Sequence, residues 1–329
     1  MQNKSISVVI PNFNGKHLLE QNLPSVYKAL HHQYLNFEII IVDDCSNDQS
    51  VAFITQKYPE IKLIINDFNQ GFSISCNKGI VASEKELILL LNTDINLSAD
   101  YFVGQFKYFD KQDTFGVMSK IIGPTGEVQD TARYITRSGF KIKANNFYYV
   151  TNTNFWTPTA YLSGANALIN AKKLKEIGGF NEIFSPFYCE DFELGIRAWR
   201  LGWKCYYHPH SVCIHDHSST TKNYKTKNWV KAIFFRNRLI VHAIHLETIS
   251  LFLWHLQIIF TDFLFRWLGL RFFFYKSFWM YLNEKAQINA SRVNLATLMK
   301  KYNSTKTVQD IAPEMSVMLT GQTIIKGRN

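Results

Sequence analysis

Short apolar runs alternate with helix-like segments over the first hundred residues of the chain. The runs are rich in β-branched and aliphatic residues and end at turns, which is typical of buried parallel strands. They lie at residues 5–11, 37–42, 61–65 and 86–91. Between them, apolar residues recur at helical spacing over residues 18–30, and a second helix is predicted over residues 73–82. This order predicts an α/β fold with a doubly wound mixed sheet flanked by helices.

The pattern weakens over residues 101–154, where only a tight turn at residues 123–126 is clear. Beyond it, residues 162–169 predict an extended piece, and two helices are predicted to follow over residues 171–177 and 191–201. The regular part of the fold therefore resumes in the second half of the chain.

The last third is crowded with Phe, Trp, Leu and Ile between residues 229 and 282. Its longest stretch without a formal charge, residues 248–261, is shorter than the roughly 20 residues that a spanning helix needs. Cations outnumber Glu247 and Asp262 here, as in helices that lie in an anionic membrane interface. These cations are Lys222, Lys225, Lys227, Lys231, Arg236, Arg238, Arg266, Arg271 and Lys276. We therefore predict amphipathic membrane-associating helices over residues 223–285, followed by a polar tail with one helix over residues 286–329.

Composition narrows the class of protein. The chain has 329 residues, of which 47% are hydrophobic, so a large folded domain is expected. The net charge of +10 suits nucleic acid, an anionic membrane or a phosphate-bearing substrate. Nucleic acid is the weakest of these, because no basic block with interleaved aromatics and no helix-turn-helix or zinc-finger spacing is visible. The five cysteines form no Cys-x-x-Cys pair and the N-terminus shows no signal-peptide pattern, which favours a cytoplasmic location.

Polar residues follow the predicted strands. They form residues 11–15 after the first strand, residues 43–48 after the second, and Asn92, Thr93 and Asp94 after the fourth. Doubly wound sheets bind ligands beyond the carboxyl ends of their strands. We therefore expect these three loops to converge on one edge of the sheet as a binding site.

Two of these acids suit a nucleotide diphosphate. Asp94 is placed to hold a divalent cation that neutralises a diphosphate, although a helix cap or Asx-turn would explain the same triplet. Asp44 is placed to accept hydrogen bonds from a ribose hydroxyl or a base imide, although carboxylates at strand ends also commonly cap the next helix.

A second acidic group opens the helix predicted over residues 191–201. Glu190 and Asp191 there either complement the helix dipole or supply the carboxylate base that deprotonates a hydroxyl. Glu193 and Arg197, spaced i and i+4, predict a supporting ion pair.

Histidines cluster near the end of this region, which raises the question of a metal site. The cluster consists of His208, His210, His215 and His217. Surface histidines are usually only solvated, and this spacing is not that of a helical metal site. His215, at the end of an extended run, is the best candidate for completing a metal shell.

Together these segments resemble family 2 glycosyltransferases with the GT-A fold, particularly their bacterial rhamnosyltransferase-like branch. The likeness extends from residue 5 to about residue 220 and depends on ordered motifs. They are Ser7 to Asn14, Val42 to Asp48, Asn69 to Phe72 with Asn77 to Ile80, Leu91 to Asp94, Gly178 to Phe180, and Glu190-Asp191 through Arg197, Gly202, Pro209 and His215.

The resemblance implies a role for each matched position. Pro11, Phe13 and Asp44 would surround the base and ribose, and Asn77 and Asn92 would lie near the nucleotide. Asp94 and His215 would bind Mg²⁺ or Mn²⁺, and Asp191 would be the catalytic base, with Glu190 helping to place the acceptor. Asn92 departs from the family's Asp-x-Asp motif at its first position, which lowers the charge offered to the metal.

The resemblance also divides the chain and names its partners. Residues 1–100 would bind the nucleotide-sugar, and residues 101–222 would bind the acceptor and carry the catalytic base. The implied reaction is inverting transfer to a hydroxyl of a glycan or lipid-linked acceptor at the inner face of a membrane. Two alternatives remain: a sugar nucleotidyltransferase, although the first loop lacks a Gly-rich basic phosphate site, and a non-catalytic membrane-bound nucleotide-sugar-binding protein.

Overall fold

The computed structural model describes residues 4–33, 35–216, 226–263 and 272–327 of the chain. Its strands are β1 Ile6–Asn12, β2 Phe37–Asp43, β3 Lys62–Ile65, β4 Leu87–Leu91, β5 Ile95–Leu97, β6 Thr114–Ile122, β7 Val128–Asp130, β8 Arg133–Ser138, β9 Lys141–Val150, β10 Thr157–Pro158, β11 Asn166–Asn170, β12 Lys204–His215 and β13 Ile324–Lys326. Its helices are α1 Lys16–His32, α2 Ser50–Lys57, α3 Phe72–Ala82, α4 Ala171–Glu176, α5 Glu190–Arg200, α6 Lys227–His245, α7 Thr248–Ile258, α8 Phe273–Asn283, α9 Lys285–Lys301 and α10 Val308–Met318.

One mixed sheet carries most of these strands, in the order β10-β12-β6-β11-β4-β1-β2-β3. Strands β3, β2, β1 and β4 run parallel, β11 runs antiparallel between β4 and β6, and β12 runs parallel to β6. The short strands β5 and β7 pair with β12 and β6 respectively, while β8, β9 and β13 form a separate small sheet. The predicted doubly wound mixed sheet is confirmed.

The alternation predicted for the first hundred residues is confirmed, with boundaries shifted by one or two residues. The sheet buries both faces of β4, in which every residue is buried, as the continuous apolar run indicated. One helix, α2, was not predicted, because its eight residues bury only Ser50, Phe53 and Ile54 and leave a weak apolar pattern.

Residues 101–154 contain more structure than their sequence indicated. Strands β6 to β9 lie there, and the predicted turn connects β6 to β7. The extended piece predicted over residues 162–169 begins only at Asn166, because the preceding residues form the loop that approaches the head of α5.

The C-terminal segment is part of the core. Ile311 and Met315 of α10 are fully buried, and β13 pairs with β9. The helix predicted in this tail is present, but the rest is not a loose tail over the described residues to 327, because it contains a second helix, α10, and the strand β13. The buried positions of α10 recur at helical spacing, and the polar residues between them conceal that pattern in the composition.

Helix α6 also differs from an interfacial helix. Ile240 and Val241 are fully buried, and Arg236 is 7% exposed and donates to the carbonyls of Ile183 and Ser185. Its guanidinium thus belongs to the protein interior and does not face a membrane. Five positions used in the sequence interpretation lie outside the described residues: His217, Lys222, Lys225, Arg266 and Arg271.

Apolar side chains are exposed along α7 and the turn after it. Phe252 is 62% exposed and Phe260 is 67% exposed. None of the helices in the described part of the chain combines the length and hydropathy required to cross a bilayer.

The packing of α10 predicts a large stability difference between two of its positions. Replacing the buried Ile311 by Ala should lower the free energy of unfolding by about 2–4 kcal/mol, because a cavity forms in the core. The matched change Val317→Ala, at a side chain that is 73% exposed, should alter it by less than about 0.5 kcal/mol. Urea unfolding measures both, and equal effects would contradict the docking of this helix.

Candidate active site

Strand pairing brings Asp94 and His215 together at the carboxyl edge of the sheet. The antiparallel ladder between β5 and β12 sets His215 opposite Ile95, directly after Asp94. Nε2 of His215 lies 3.2 Å from Oδ2 of Asp94, and the backbone N–H of Asp216 donates to the Asp94 carbonyl at 3.2 Å. The two side chains predicted as metal ligands are therefore neighbours, although 121 positions separate them in the sequence.

Gln129 of β7 orients the imidazole of His215. Its Oε1 lies 2.8 Å from Nδ1 of the ring, and its Nε2 donates to the His215 carbonyl at 3.2 Å. An accepting Oε1 requires the proton on Nδ1, so Nε2, the nitrogen beside Asp94, is the ring atom that can bind a metal. A hydrogen bond at the far nitrogen is the usual support of a metal-binding histidine.

The donor set at this edge fits a divalent cation. One carboxylate and one imidazole suit Mg²⁺ or Mn²⁺ when phosphate oxygens and water supply the other ligands. In the described residues, no group of three or more His, Cys, Asp or Glu side chains is placed to hold a metal by itself. The site thus fits a cation that arrives with a phosphate-bearing ligand. His217, named in the sequence cluster, lies outside the described residues.

Asn92 lies at the end of β4, and His208 lies in the protein core. The backbone N–H of Asn92 donates to the Ala165 carbonyl at 3.2 Å, which ties the end of β4 to the loop before β11. His208 lies 3.2 Å from the Tyr108 hydroxyl, and burial lowers the pKa of its imidazole to about 4. His208 is therefore a neutral core histidine.

The Asp44 carboxylate fastens the loop after β3 to the end of β2. Oδ1 accepts hydrogen bonds from Nδ2 of Asn66 at 2.7 Å and from the N–H of Gln70 at 2.8 Å. Oδ2 accepts the N–H of Gly71 at 2.8 Å. A carboxylate offers about four acceptor positions, and these three hydrogen bonds use three of them. Asp44 shapes this loop and does not cap α2, whose N-cap residue is Gln49.

The loop after β1 is joined to the loop after β2. Nδ2 of Asn12 donates to Oδ2 of Asp43 at 2.7 Å, and the N–H of Asn14 donates to the Ser46 hydroxyl at 2.8 Å. Pro11 and Phe13 flank this junction and are both half-buried. The first two predicted loops therefore converge as the sequence indicated.

Asn77 of α3 bonds to the loop that follows α4. Its Nδ2 donates to the Phe180 carbonyl at 2.9 Å and to Glu182 Oε1 at 3.0 Å, and its Oδ1 accepts the Phe180 N–H at 2.8 Å. The amide thus connects α3 to the loop after α4, and its place near a nucleotide stays a prediction.

Glu190 and Asp191 form a buried acidic pair at the head of α5. Glu190 is 8% exposed, and burial together with the neighbouring Asp191 raises its pKa to about 8. Burial also raises the pKa of Asp191, to about 6, against the hydrogen bond that its Oδ1 accepts from the Phe192 N–H at 2.7 Å. At neutral pH the pair therefore keeps one proton, on the Glu190 side.

Helix α5 is anchored by the predicted ion pair, which is confirmed. Nη2 of Arg197 lies 2.9 Å from Oε2 of Glu193, and the guanidinium also donates to the carbonyls of Ile177 and Gly179. His245 of α6 lies 3.2 Å from the other Glu193 oxygen.

Strand β7 contacts His215 through one residue and Arg133 through the next. Gln129 contacts His215, and the next residue, Asp130, accepts a 2.9 Å hydrogen bond from Nε of Arg133. Arg133 and Asp191 line one cavity of about 310 Å³. Sequence reasoning missed Gln129, Asp130 and Arg133, because they lie in the stretch where the apolar pattern is weak.

Asn237 of α6 holds the loop that leads into α5. The Nδ2 of this fully buried side chain lies 2.8–2.9 Å from the carbonyl oxygens of Phe184, Phe187 and Tyr188 and shares its two N–H groups among them. The loop needs such support, because Tyr188 and Cys189 have φ of 78° and 70°, in the left-handed region that most residues avoid. Asn237 therefore sets the backbone from which Glu190 and Asp191 project.

Comparison with known proteins now identifies relatives. Residues 7–178, more than half of the chain, match the model of glycosyl transferase family 2. The N-acetylglucosaminyl-diphospho-decaprenol L-rhamnosyltransferase of Mycobacterium tuberculosis is 23% identical over 211 residues, which cover 56% of this chain and 67% of that protein. The probable glycosyltransferase YdaM of Bacillus subtilis is 24% identical over 228 residues, which cover 66% of this chain and 52% of that protein.

Solved structures share the fold at low identity. A crystal structure of GalNAc-T7 with UDP, GalNAc and Mn²⁺ has a TM-score of 0.64 and 14% identity, covering 97% of this chain and 58% of that one. The mannosyltransferase PcManGT from Pyrobaculum calidifontis, in complex with GDP-Man and Mn²⁺, has a TM-score of 0.51 and 12% identity, covering 97% of this chain and 81% of that one. The chain thus spans only part of several relatives.

Loss of the Asn237 amide should loosen the loop before α5. Asn237→Ala leaves three carbonyls without their donor and should lower the free energy of unfolding by about 1–3 kcal/mol. Hydrogen–deuterium exchange at Phe184 and Ser185 should become faster. The control Asn228→Ala changes an exposed amide of the same helix and should alter neither measurement. Unchanged exchange in Asn237→Ala would contradict the role assigned to Asn237.

Proposed function

The chain belongs to glycosyl transferase family 2, and on that premise we propose that it transfers a sugar from a nucleoside-diphosphate sugar to an acceptor hydroxyl with inversion at the anomeric carbon. The acceptor is a glycan or a lipid-linked sugar. One observation carries the proposal. Gln129 of β7 contacts His215 of the pair that suits a diphosphate, and the next residue, Asp130, pairs with Arg133, which lines one cavity with Asp191, the carboxylate that suits a proton acceptor. Sugar transfer needs these two functions side by side.

The donor occupies the carboxyl edge of the sheet. Pro11 and Phe13 border the base, and Asp44 offers its remaining acceptor position to the ribose. Asp94 and His215 hold Mg²⁺ or Mn²⁺, which when bound offsets the charge of the diphosphate leaving group. Asn92 adds no charge at this edge, so Asp94 and His215 carry the electrostatic part of the site.

Asp191 acts as the general base. Its carboxylate takes the proton of the acceptor hydroxyl while the hydroxyl oxygen forms the new bond to the anomeric carbon and the bond to the diphosphate breaks. One displacement inverts the configuration. Glu190 is protonated at neutral pH, since burial raises its pKa to about 8, and it helps to place the acceptor as a hydrogen-bond donor.

Removal of the base should abolish transfer while the donor still binds. Asp191→Asn should lower kcat by about 10²–10⁴-fold, because the amide cannot accept the proton. Nucleotide release from a panel of nucleoside-diphosphate sugars, with and without Mn²⁺ and with a membrane lipid extract as acceptor source, measures this. In the wild type the rate should rise with pH through about 6, where Asp191 loses its proton.

The matched control is Asp110→Asn, which changes an exposed carboxylate. It should retain the wild-type rate and pH profile. An unchanged release rate in Asp191→Asn would refute the role of Asp191 as the general base. No nucleotide release by the wild type with any donor would instead favour a chain that binds the donor without turning it over.

We further propose that the chain associates peripherally with the inner face of a membrane. The exposed apolar side chains of α7 and the turn after it are the support for this. They include Ile249, Phe252, Leu253, Leu256, Ile259 and Phe260. Grouped exposed apolar residues on one helix are typical of interfacial insertion, and they lie in a chain of net charge +10, which suits anionic lipid.

Membrane binding should depend on this surface in particular. Phe252→Asp and Phe260→Asp should each reduce the fraction bound to vesicles containing phosphatidylglycerol at least about tenfold, because each removes about 1.5–3 kcal/mol of apolar burial. The control Val81→Asp places the same charge on α3, at a side chain that is 77% exposed, and should not affect binding. Flotation measures all three. Full recovery of the wild-type chain in the soluble fraction would contradict the proposal.

A further inference from the structure

Two cavities meet beside the proposed catalytic base. The first, of about 310 Å³, is the one lined by Asp191 and Arg133. The second, of about 300 Å³, lies between β9 and helices α6, α7 and α8. Lys143, Asn145 and Arg238 line both cavities, so these three side chains form the boundary between them.

The boundary carries two cations. In the described part of the chain, no carboxylate lies within ion-pair distance of Lys143 or Arg238, and both side chains are half-buried. By contrast, two other cations that line these cavities have carboxylate partners: Lys141 is paired with Asp262, and Arg133 is paired with Asp130. Two half-buried cations at one wall repel each other, and an anion between them removes that cost. Guanidinium and ammonium groups in such a position are suited to phosphate oxygens.

Beyond this boundary the second cavity combines an apolar wall with polar side chains, which are His242 and the ion pair of Lys141 with Asp262. Phe235 and Leu239 of α6, Trp254 and Ile258 of α7, and Phe274 of α8 form its wall. Helix α7 also presents the exposed apolar side chains described above. From the first cavity to the second, the lining therefore changes from the proposed carboxylate base to two cations and then to a cavity with an aromatic and aliphatic wall.

We propose that Lys143 and Arg238 bind the diphosphate of a lipid-linked acceptor, whose hydrocarbon chain occupies the cavity lined by Phe235 and Trp254. The acceptor sugar then lies in the first cavity, with its hydroxyl at Asp191. This assignment depends on the proposed transfer reaction for its meaning, but the binding site itself is testable without turnover. It makes Lys143 and Arg238 specificity-determining residues that distinguish a lipid diphosphate from a neutral glycan.

The test uses three probes that separate the contribution of the hydrocarbon from that of the diphosphate charge. Farnesyl diphosphate carries both parts, farnesol carries only the hydrocarbon, and inorganic pyrophosphate carries only the anion. Titration calorimetry in EDTA measures each affinity for the full chain, without metal-dependent binding at Asp94 and His215. Farnesyl diphosphate should bind at least about tenfold more tightly than either other probe, because only it contacts both regions.

Substitutions then locate the anion. Lys143→Gln and Arg238→Gln should each weaken farnesyl diphosphate binding about five- to twentyfold and leave farnesol binding unchanged. The control Lys57→Gln removes an exposed cation at the end of α2 and should change neither affinity. Asp94→Asn should also leave the affinity for farnesyl diphosphate unchanged, which distinguishes this site from the proposed donor site. Thermal unfolding of each variant verifies the fold.

Three results would overturn the inference: equal affinity for farnesyl diphosphate and farnesol, equal affinity for farnesyl diphosphate and pyrophosphate, or a loss that occurs in Asp94→Asn but not in Arg238→Gln. Nucleotide release by the wild type remains a separate measurement. A chain that turns over the donor but fails these binding tests refutes only the acceptor subsite, whereas absent turnover with intact probe binding refutes the proposed reaction.

Discussion

The antiparallel pairing of β5 with the end of β12 is the interaction on which the rest of the site depends. Main-chain hydrogen bonds there place His215 against Asp94, and the same long strand runs parallel to β6, which carries β7 on its edge. Because β7 holds Gln129 and Asp130, one set of ladders positions the histidine, its supporting amide and the acid beside Arg133. Backbone pairing therefore brings together polar and charged side chains that lie far apart in the sequence.

The acidic pair at the head of α5 consists of residues adjacent in sequence, and its properties depend on burial and on the loop before it. Two adjacent carboxyl groups are buried, which raises the pKa of both and favours the loss of one charge. The loop before them includes two residues in the left-handed region, and the amide of Asn237 fixes three of its carbonyls. The C-terminal helices thus serve the site directly: α6 supports the loop, and its Arg238 borders the cavity that contains Asp191.

Sequence patterns predicted the parts whose physics is local. The apolar runs of β1, β2 and β4 are continuous because the sheet buries both faces, so strands and the loops after them were visible. Gln129, Arg133 and Asn237 could not be identified in this way. Gln129 and Arg133 lie on strands with a weak apolar pattern, and a single buried amide such as Asn237 leaves no periodic signal in its helix. Arg236 was misassigned to a membrane interface because its charge is visible in sequence, whereas the carbonyls that it contacts are not.

By itself, the sequence determined the alternating α/β framework, the polar loops at the strand ends and the acids that open α5, because each depends on residues close together in the chain. Tertiary structure alone decided that Asp94 meets His215 across a strand ladder, that Asn77 binds a loop, and that residues after 286 complete the core to residue 327. The physical reason is that burial and hydrogen-bond partners are set by distant segments, and no window of sequence contains both members of such a contact.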